Sequence, residues 1–157
     1  ESLEIRPARA GEEREVCDLI TRVFDEFVGS DFTQEGVDEF YEFAAPDAMA
    51  DRMRSGEIVL IAENREGIVG MIELRGLDHI AMLFVERRGA GIGRRLVEEA
   101  LKTCHQQDPA SEGVTVHASR YAAPIYRKLG FEETGPERTE NGITYLPMML
   151  RFERAER

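Results

Sequence analysis

The stretch FVERRGAGIGRRL, residues 84–96, contains the residues best suited to binding an anion. An apolar strand end leads into four arginines and three alternating glycines. Glycines let a backbone approach a ligand closely, and N–H groups at the start of a helix favour anions. Arg88 and Arg94 would add charge-assisted hydrogen bonds. The stretch therefore predicts a phosphate-binding site, with pyrophosphate as its natural ligand.

Two nucleotide-binding motifs do not fit this stretch. A Rossmann fingerprint needs G-x-G-x-x-G inside a βαβ unit, whereas the glycines here are Gly89, Gly91 and Gly93. A Walker A loop needs Lys followed by Ser or Thr, and this chain has Arg94-Arg95. A module that binds another nucleotide ranks last, because no aspartate stands where magnesium or ribose would need one.

Hydrophobic periodicity and turn residues predict the elements around the stretch. A strand is expected at 3–6, a helix ending near residue 29, and two shorter helices up to about residue 55. Strands at 58–62, 68–74 and 79–85 should form an antiparallel meander, and a helix should run from Gly91 to Asp108-Pro109. A strand at 114–117, a short helix at 122–129 and a hairpin around Asn141-Gly142 complete the prediction.

Composition limits the classes of protein. With 157 residues, of which 42% are hydrophobic, the chain predicts a single domain over residues 1–157. Its net charge of -11 argues against nucleic acid as a partner. Cys17 and Cys104 lie in apolar helical surroundings and predict buried thiols rather than a disulfide. We expect no membrane span and no signal peptide, hence a cytoplasmic protein.

Three segments together resemble a known family. Arg88-Gly89-Ala90-Gly91-Ile92-Gly93 looks like the R-x-x-G-x-G acyl-coenzyme A signature of the GCN5-related N-acetyltransferases (GNAT). LDHIAMLFVERRG resembles the fourth strand of that family, and SRYAAPIYRKLGF resembles its later coenzyme-binding helix. The order of elements agrees, and the N-G-I-x-x-x-P-M ending is similar to single-domain members of unassigned substrate.

The resemblance implies an α+β fold with a mixed, mainly antiparallel central sheet flanked by helices. It also implies acetyl-CoA as cosubstrate, no metal, and direct acetyl transfer to a primary amine without a covalent enzyme intermediate. It implies that backbone groups of Leu83, Phe84 and Val85, exposed where the fourth strand separates from the fifth, hold the pantetheine arm and polarise the thioester carbonyl. The implied coenzyme-binding residues are Leu83, Phe84, Val85, Arg88, Gly89, Ala90, Gly91, Ile92, Gly93, Arg94, Ser119 and Tyr126.

Tyr126 occupies the family position of the general acid that protonates the leaving thiolate. The alternative is that it only fills core, because Ala122, Ile125 and Leu129 share its helix face. Ser119 has two readings as well, as a helix cap and as a coenzyme neighbour.

The amine needs a group that accepts its proton, and the sequence does not single one out. Glu73 and His79, on the meander that leads toward the thioester site, are the candidate bases. The alternative for both is a half-exposed strand residue. His105 and His117 have no partner at a metal-ligand spacing, so no metal site is predicted.

Nine acidic residues and no Lys or Arg occur from Val23 to Asp51. One hypothesis is that this segment attracts a cationic acceptor, either a small molecule or a protein lysine. The other is a solvated helix face. A different functional class also stays open, an acyl-CoA-binding sensor or interaction module without turnover. Edge strands of two copies could pair into a homodimer, and the oligomeric state is left open.

Overall fold

The structure is a computed structural model that describes residues 2–86 and 90–153, and these form eight strands and five α-helices. The strands are β1 (Glu4–Pro7), β2 (Val59–Asn64), β3 (Gly67–Arg75), β4 (His79–Val85), β5 (Gly113–Ala118), β6 (Glu132–Glu133), β7 (Arg138–Glu140) and β8 (Ile143–Arg151). The α-helices are α1 (Glu13–Val23), α2 (Gln34–Phe43), α3 (Pro46–Arg54), α4 (Ile92–Gln107) and α5 (Ala123–Lys128). Within the described ranges, no helix is long and apolar enough to cross a membrane.

All eight strands belong to one connected arrangement with the order β1-β2-β3-β4-β5-β8-β6, and β7 pairs with β8 beside it. Every pair is antiparallel except β4 with β5, which are joined through α4 and run parallel. A parallel pair requires such a long crossover. The α+β fold with a mixed, mainly antiparallel sheet flanked by helices is therefore confirmed.

The parallel pair is joined at one end only. His79 pairs with Thr115 and Ile80 with Val116, and no further pairs are formed before the two strands end. In β4 the next residue, Ala81, has no partner on β3, because Ile80 pairs with Leu74 whereas Met82 pairs with Glu73. A bulge of this kind bends a strand and redirects its side chains. The sheet is consequently open between the far ends of β4 and β5.

The sequence located most elements to within two residues, and the bounds of β4 agree fully. The first helix differs, because α1 ends at Val23 and continues as a π-helical turn over Phe24–Val28 and a 3-10 turn over Gly29–Asp31. The short strand β6 was not predicted, since two exposed glutamates carry no hydrophobic pattern. Both cysteines are buried and free, and burial raises the pKa of each thiol to about 11.

The N-terminus of α2 rests directly on the turn of the β7–β8 hairpin. The Thr33 N–H donates to the carbonyl of Gly142 at 2.9 Å, and the Thr33 hydroxyl accepts from the N–H of Gly36 at 3.3 Å. A Cβ atom on Gly36 would lie 2.2 Å from that same carbonyl. This contact fixes α2 beside the opening in the sheet and needs glycine at both positions.

We expect Gly36→Ala to destabilise the protein, although alanine is the better helix former. The added methyl group would overlap the Gly142 carbonyl, and overpacking of this kind costs about 1–3 kcal/mol. Thermal unfolding should show a Tm lower by about 2–4 °C per kcal/mol. Glu35→Ala, an exposed neighbour on the same helix, serves as the control. An equal or higher Tm for Gly36→Ala would contradict the close contact.

Candidate active site

A cavity of about 370 Å³ lies where β4 and β5 separate. Its strand wall is formed by Met82, Leu83 and Phe84 on β4 and by residues 116–118 on β5 with Ser119 directly after them. Five apolar residues from the first helical segments cover it, namely Phe24, Val28, Phe32, Phe40 and Phe43. The cavity thus has an aromatic wall on one side and an open sheet edge on the other.

The backbone of Phe84 is directed to β3. The N–H of Glu86 donates to the carbonyl of Val69 at 2.9 Å, and hydrogen-bonded pairs alternate along an antiparallel ladder. Phe84, two residues earlier, is therefore also bonded to its partner on β3. The prediction that its backbone groups are exposed in the opening is wrong, and it is the Phe84 ring that lines the cavity.

The backbone groups of Leu83 and Val85 point the other way, toward β5, by the same alternation. The hydroxyl of Tyr121 donates to the Val85 carbonyl at 2.6 Å, which agrees with this orientation. Because the β4–β5 ladder has ended before this point, the N–H groups of both residues face the opening. They are available to a ligand that lies between the two strands.

The glycine stretch leads into α4, as predicted. Gly91 is the N-cap of α4 and adopts the left-handed conformation with φ 78°, and open space surrounds the position of a Cβ atom there. Ile92 is the first helical residue, and Gly93 contacts α5 closely, since a Cβ would lie 2.9 Å from Ile125 Cδ1. Ala90 precedes the N-cap and Arg94 follows it in the first turn, and both are exposed. Nε of Arg94 lies 3.8 Å from Oε1 of Glu98.

Two of the predicted coenzyme-binding residues, Arg88 and Gly89, lie outside the described residues. The N-terminal N–H groups of α4 remain as an anion site of ordinary helical geometry. The first turn of α4 lies close to the end of β4, since a Cβ on Gly93 would lie 3.4 Å from Cγ2 of Val85.

Tyr126 is buried, with 1% of its surface exposed, and it lines the cavity. Its ring packs against Phe131 with a centroid separation of 5.1 Å. Burial raises the pKa of its hydroxyl well above the usual value, so the proton stays on the oxygen at neutral pH. Both sequence readings of Tyr126 therefore have a structural counterpart, core packing and a hydroxyl at the cavity.

Ser119 caps the turn before α5 and also lies at the cavity. Its hydroxyl accepts a hydrogen bond from the N–H of Ala122 at 3.1 Å, which closes the turn before α5. The residue also lines the cavity. A capping role and a position beside the ligand space coincide here.

Glu73 is neither half-exposed nor at the cavity, which corrects the sequence-based expectation for it. It is 1% exposed, and Arg52 donates to its two carboxylate oxygens at 2.7 and 3.1 Å. The same arginine donates to the carbonyl of Phe43 at 2.7 Å. Removing one partner of a buried ion pair leaves the other charge buried without compensation. The geometry gives Glu73 a structural role in joining α3 to the sheet.

His79 lies in the cavity wall. The hydroxyl of Thr115 lies 2.8 Å from Nδ1 of His79 and 3.3 Å from the carbonyl of Asp78. When the hydroxyl donates to that carbonyl, the imidazole carries its hydrogen on Nδ1 and its lone pair on Nε2. Burial, and next the neighbouring His117, lower the pKa of His79 to about 4.

This pKa predicts how stability depends on pH. The unfolded chain carries His79 with its ordinary pKa of 6.5, so it binds more protons than the folded state between pH 6.5 and about 4. The contribution of neutral His79 is complete above pH 6.5 and is lost as the pH falls toward 4. Urea unfolding of wild type and His79→Gln should therefore show a difference that shrinks or reverses on acidification. The control His105→Gln should follow the wild type, and a pH-independent difference for His79→Gln would contradict the assignment.

Three further residues at the cavity were not selected from the sequence. The ring of His117 stands edge-on to His79 at 5.2 Å and stacks on Tyr145 at 4.1 Å. The Tyr145 hydroxyl donates to the carboxylate of Glu140, and this bond raises the pKa of Tyr145. The spacing of His117 from other residues in the sequence does not indicate its position here, because strand pairing brings it to the cavity.

The acidic segment of Val23 to Asp51 mostly faces away from the cavity. Of its nine acids, the one in the cavity wall is Glu39. Asp25, Asp31 and Asp51 bond to Tyr41, Arg120 and Arg54 respectively. The geometry therefore favours the solvated helix face over an acidic acceptor site.

The fold has counterparts among solved structures. A GCN5-related N-acetyltransferase from Rhodopseudomonas palustris is 25% identical with a TM-score of 0.78, and 97% of each chain is covered. The PaiA N-acetyltransferase from Thermoplasma acidophilum, solved in complex with coenzyme A, is 17% identical with a TM-score of 0.76, covering 97% of this chain and 100% of that one.

A sequence relative, UPF0039 protein C11D3.02c from Schizosaccharomyces pombe, is 34% identical over 65 residues. The similarity spans 41% of this chain and 43% of the relative's length. Residues 28–152 match the family model of the acetyltransferase (GNAT) domain. The chain therefore belongs to the GNAT acetyltransferase family.

Proposed function

We propose that the protein transfers the acetyl group of acetyl-CoA to a primary amine by direct attack within a ternary complex. The cavity at the opening between β4 and β5, which both Tyr126 and His79 line, is the observation that carries this proposal. The coenzyme A complex of the PaiA relative supports the choice of cosubstrate.

The residues present fit acetyl-CoA. Gly91 leaves open space at the α4 N-terminus, where a side chain would otherwise stand, and the free N–H groups of the first helical turn suit a pyrophosphate. The opening in the sheet exposes backbone groups of Leu83 and Val85 to an extended pantetheine arm. When bound, the thioester supplies an activated acetyl group. Arg88 and Gly89 stay predictions of the motif.

In this proposal the N–H group of Leu83 stabilises negative charge on the carbonyl oxygen during attack, and that of Val85, about 7 Å further along the strand, binds the pantetheine arm. Donors fixed by a strand need no reorganisation as the charge develops, and loss of one such donor typically costs about 3–4 kcal/mol. The Val85 carbonyl accepts from Tyr121, which holds the strand end in place.

His79 and Tyr126 complete the proton balance. Nε2 of His79 accepts the proton that the substrate ammonium gives up, and the amine nitrogen forms a bond to the acetyl carbon. The carbon–sulfur bond then breaks, the Tyr126 hydroxyl donates its proton to the thiolate, and the second proton lost by the amine nitrogen returns to the Tyr126 oxygen. The products are an N-acetylated amine and free coenzyme A. The free lone pair of His79 favours it over Glu73, whose oxygens are bonded to Arg52.

The acceptor is proposed to be a small-molecule or protein amine. The aromatic wall, together with Glu39 and Glu140 in the cavity lining, suits an amine that carries an apolar group. A cationic acceptor drawn by the whole acidic segment has less support, because most of those acids lie elsewhere.

The proposal is tested by titrating the protein with acetyl-CoA by calorimetry, with ATP and NAD as controls, and then measuring thiol release with a panel of amines. We expect selective acetyl-CoA binding and amine-dependent thiol release. Binding without release from any amine would instead support the acyl-CoA sensor. Absence of acetyl-CoA binding would overturn the function.

A further inference from the structure

One cation in the cavity wall has no role in the proposed transfer. Arg75, the last residue of β3, is exposed and lines the cavity beside His79 and His117. The part of the chain that the structure describes offers its guanidinium no ion pair or hydrogen bond. Among the described residues, Arg75 is the one arginine in the cavity lining.

Arg75 stands next to the candidate base. Arg75 and His79 are direct partners in the antiparallel β3–β4 ladder, and such partners have Cβ atoms about 4.5–5.5 Å apart. Both side chains line the cavity, so one substrate can contact both. Guanidinium binds carboxylates in a planar, two-pronged geometry.

We propose that the acceptor is an α-amino acid whose carboxylate binds Arg75 while its amine faces His79. This inference rests on the proposed acetyl transfer and names its substrate class. In an α-amino acid a single carbon separates the amine from the carboxylate carbon, which matches the adjacent positions of the two side chains. The aromatic wall formed by Phe24, Phe32, Phe40 and Phe43 receives an apolar side chain.

The electrostatics of the wall agree with this arrangement. After burial and His117, the charge of Arg75 is a cause of the low pKa of His79. A carboxylate bound to Arg75 would offset that charge and raise the basicity of His79 when substrate is present. Burial lowers the pKa of His117, and among the nearby charges Glu140 opposes this effect whereas Arg75 adds to it. The cavity wall therefore presents both a positive and a negative group to a zwitterion.

The experiment compares amino acids with the amines that lack only the carboxylate. The pairs are phenylalanine with phenethylamine, leucine with isopentylamine, and methionine with 3-(methylthio)propylamine. Thiol release gives kcat/KM for each, and 6-aminohexanoate tests a carboxylate far from the amine. In the wild type we expect the amino acids to exceed their amines by about 10- to 100-fold, the range of hydrogen bonds to charged groups.

Substitution of Arg75 should remove that preference. Arg75→Ala should make each pair nearly equal, Arg75→Lys should keep part of the preference, and Arg75→Glu should reverse it. Arg54→Ala, which removes an exposed arginine paired with Asp51, is the matched control and should behave as the wild type. Calorimetric titration of the CoA-bound protein with phenylalanine and phenethylamine should show the same order of affinity.

The outcomes separate this inference from the proposed function. Amines equal to or better than the amino acids in the wild type, comparable use of 6-aminohexanoate, or an unchanged preference in Arg75→Ala would each overturn the inference and leave acetyl transfer intact. Thiol release from no acceptor, in a protein that binds acetyl-CoA, would overturn both.

Discussion

Replacement of Tyr126 by phenylalanine should lower kcat by about 10²- to 10⁴-fold, the range that a positioned acid contributes. The ring is buried against Phe131, and phenylalanine keeps that packing. Only the hydroxyl is lost, and with it the proton for the leaving thiolate. Burial raises the pKa of Tyr126, and the same desolvation would raise the pKa of a thiolate formed beside it, so the two groups stay matched.

Three measurements separate this role from packing. Calorimetry should give the same CoA affinity for Tyr126→Phe as for the wild type, and thermal unfolding should show a similar Tm. Single-turnover thiol release should be slow. A variant with unchanged kcat would assign Tyr126 to the core alone, whereas a large fall in Tm would mean that the hydroxyl supports the fold.

Gly91→Val should weaken CoA binding by about 10- to 100-fold, the equivalent of one lost hydrogen bond to a charged group. With φ 78° at this position, any residue with a side chain is strained by about 1–3 kcal/mol. Relief of that strain would turn the first N–H groups of α4 away from a bound anion. A valine side chain would also occupy the open space beside the helix terminus.

The strain itself has a matched control. Gly56, with φ 103° and open space around it, lies in the turn after α3, away from the cavity. Gly56→Val should reduce the free energy of unfolding by a similar amount and leave CoA affinity unchanged. Equal CoA affinity in Gly91→Val and wild type would remove the α4 N-terminus from the site.

The parts of the fold that the sequence predicted depend on local patterns. A continuous apolar run located β4, and the glycines located the start of α4. Tyr126 could be selected because its motif lies within a single short helix. These features are encoded within about ten residues of each other, which is the distance over which periodicity and turn chemistry act.

The remaining parts depend on which strands meet and in what register. Nothing near Glu73 indicates that Arg52, 21 residues earlier, would bond both of its oxygens. The tautomer of His79 depends on Thr115, which lies 36 residues away on β5. Arg75 is the last residue of β3, and nothing in the local sequence indicates a functional role for it. Its pairing with His79 is what places it beside the candidate base. Register is set by the packing of whole faces and cannot be read from one strand.

The contact between Gly36 and the Gly142 carbonyl makes two distant segments of the chain structurally dependent on each other. The helix that carries Phe40 and Phe43 over the cavity and the hairpin that carries Glu140 and Tyr145 into it share a backbone junction with no room for a side chain. A change of acceptor specificity by grafting must therefore move residues 33–43 and 138–145 together. Exchange of either segment alone would place a helix from one protein against a hairpin from another, at a junction that fits only their original pairing.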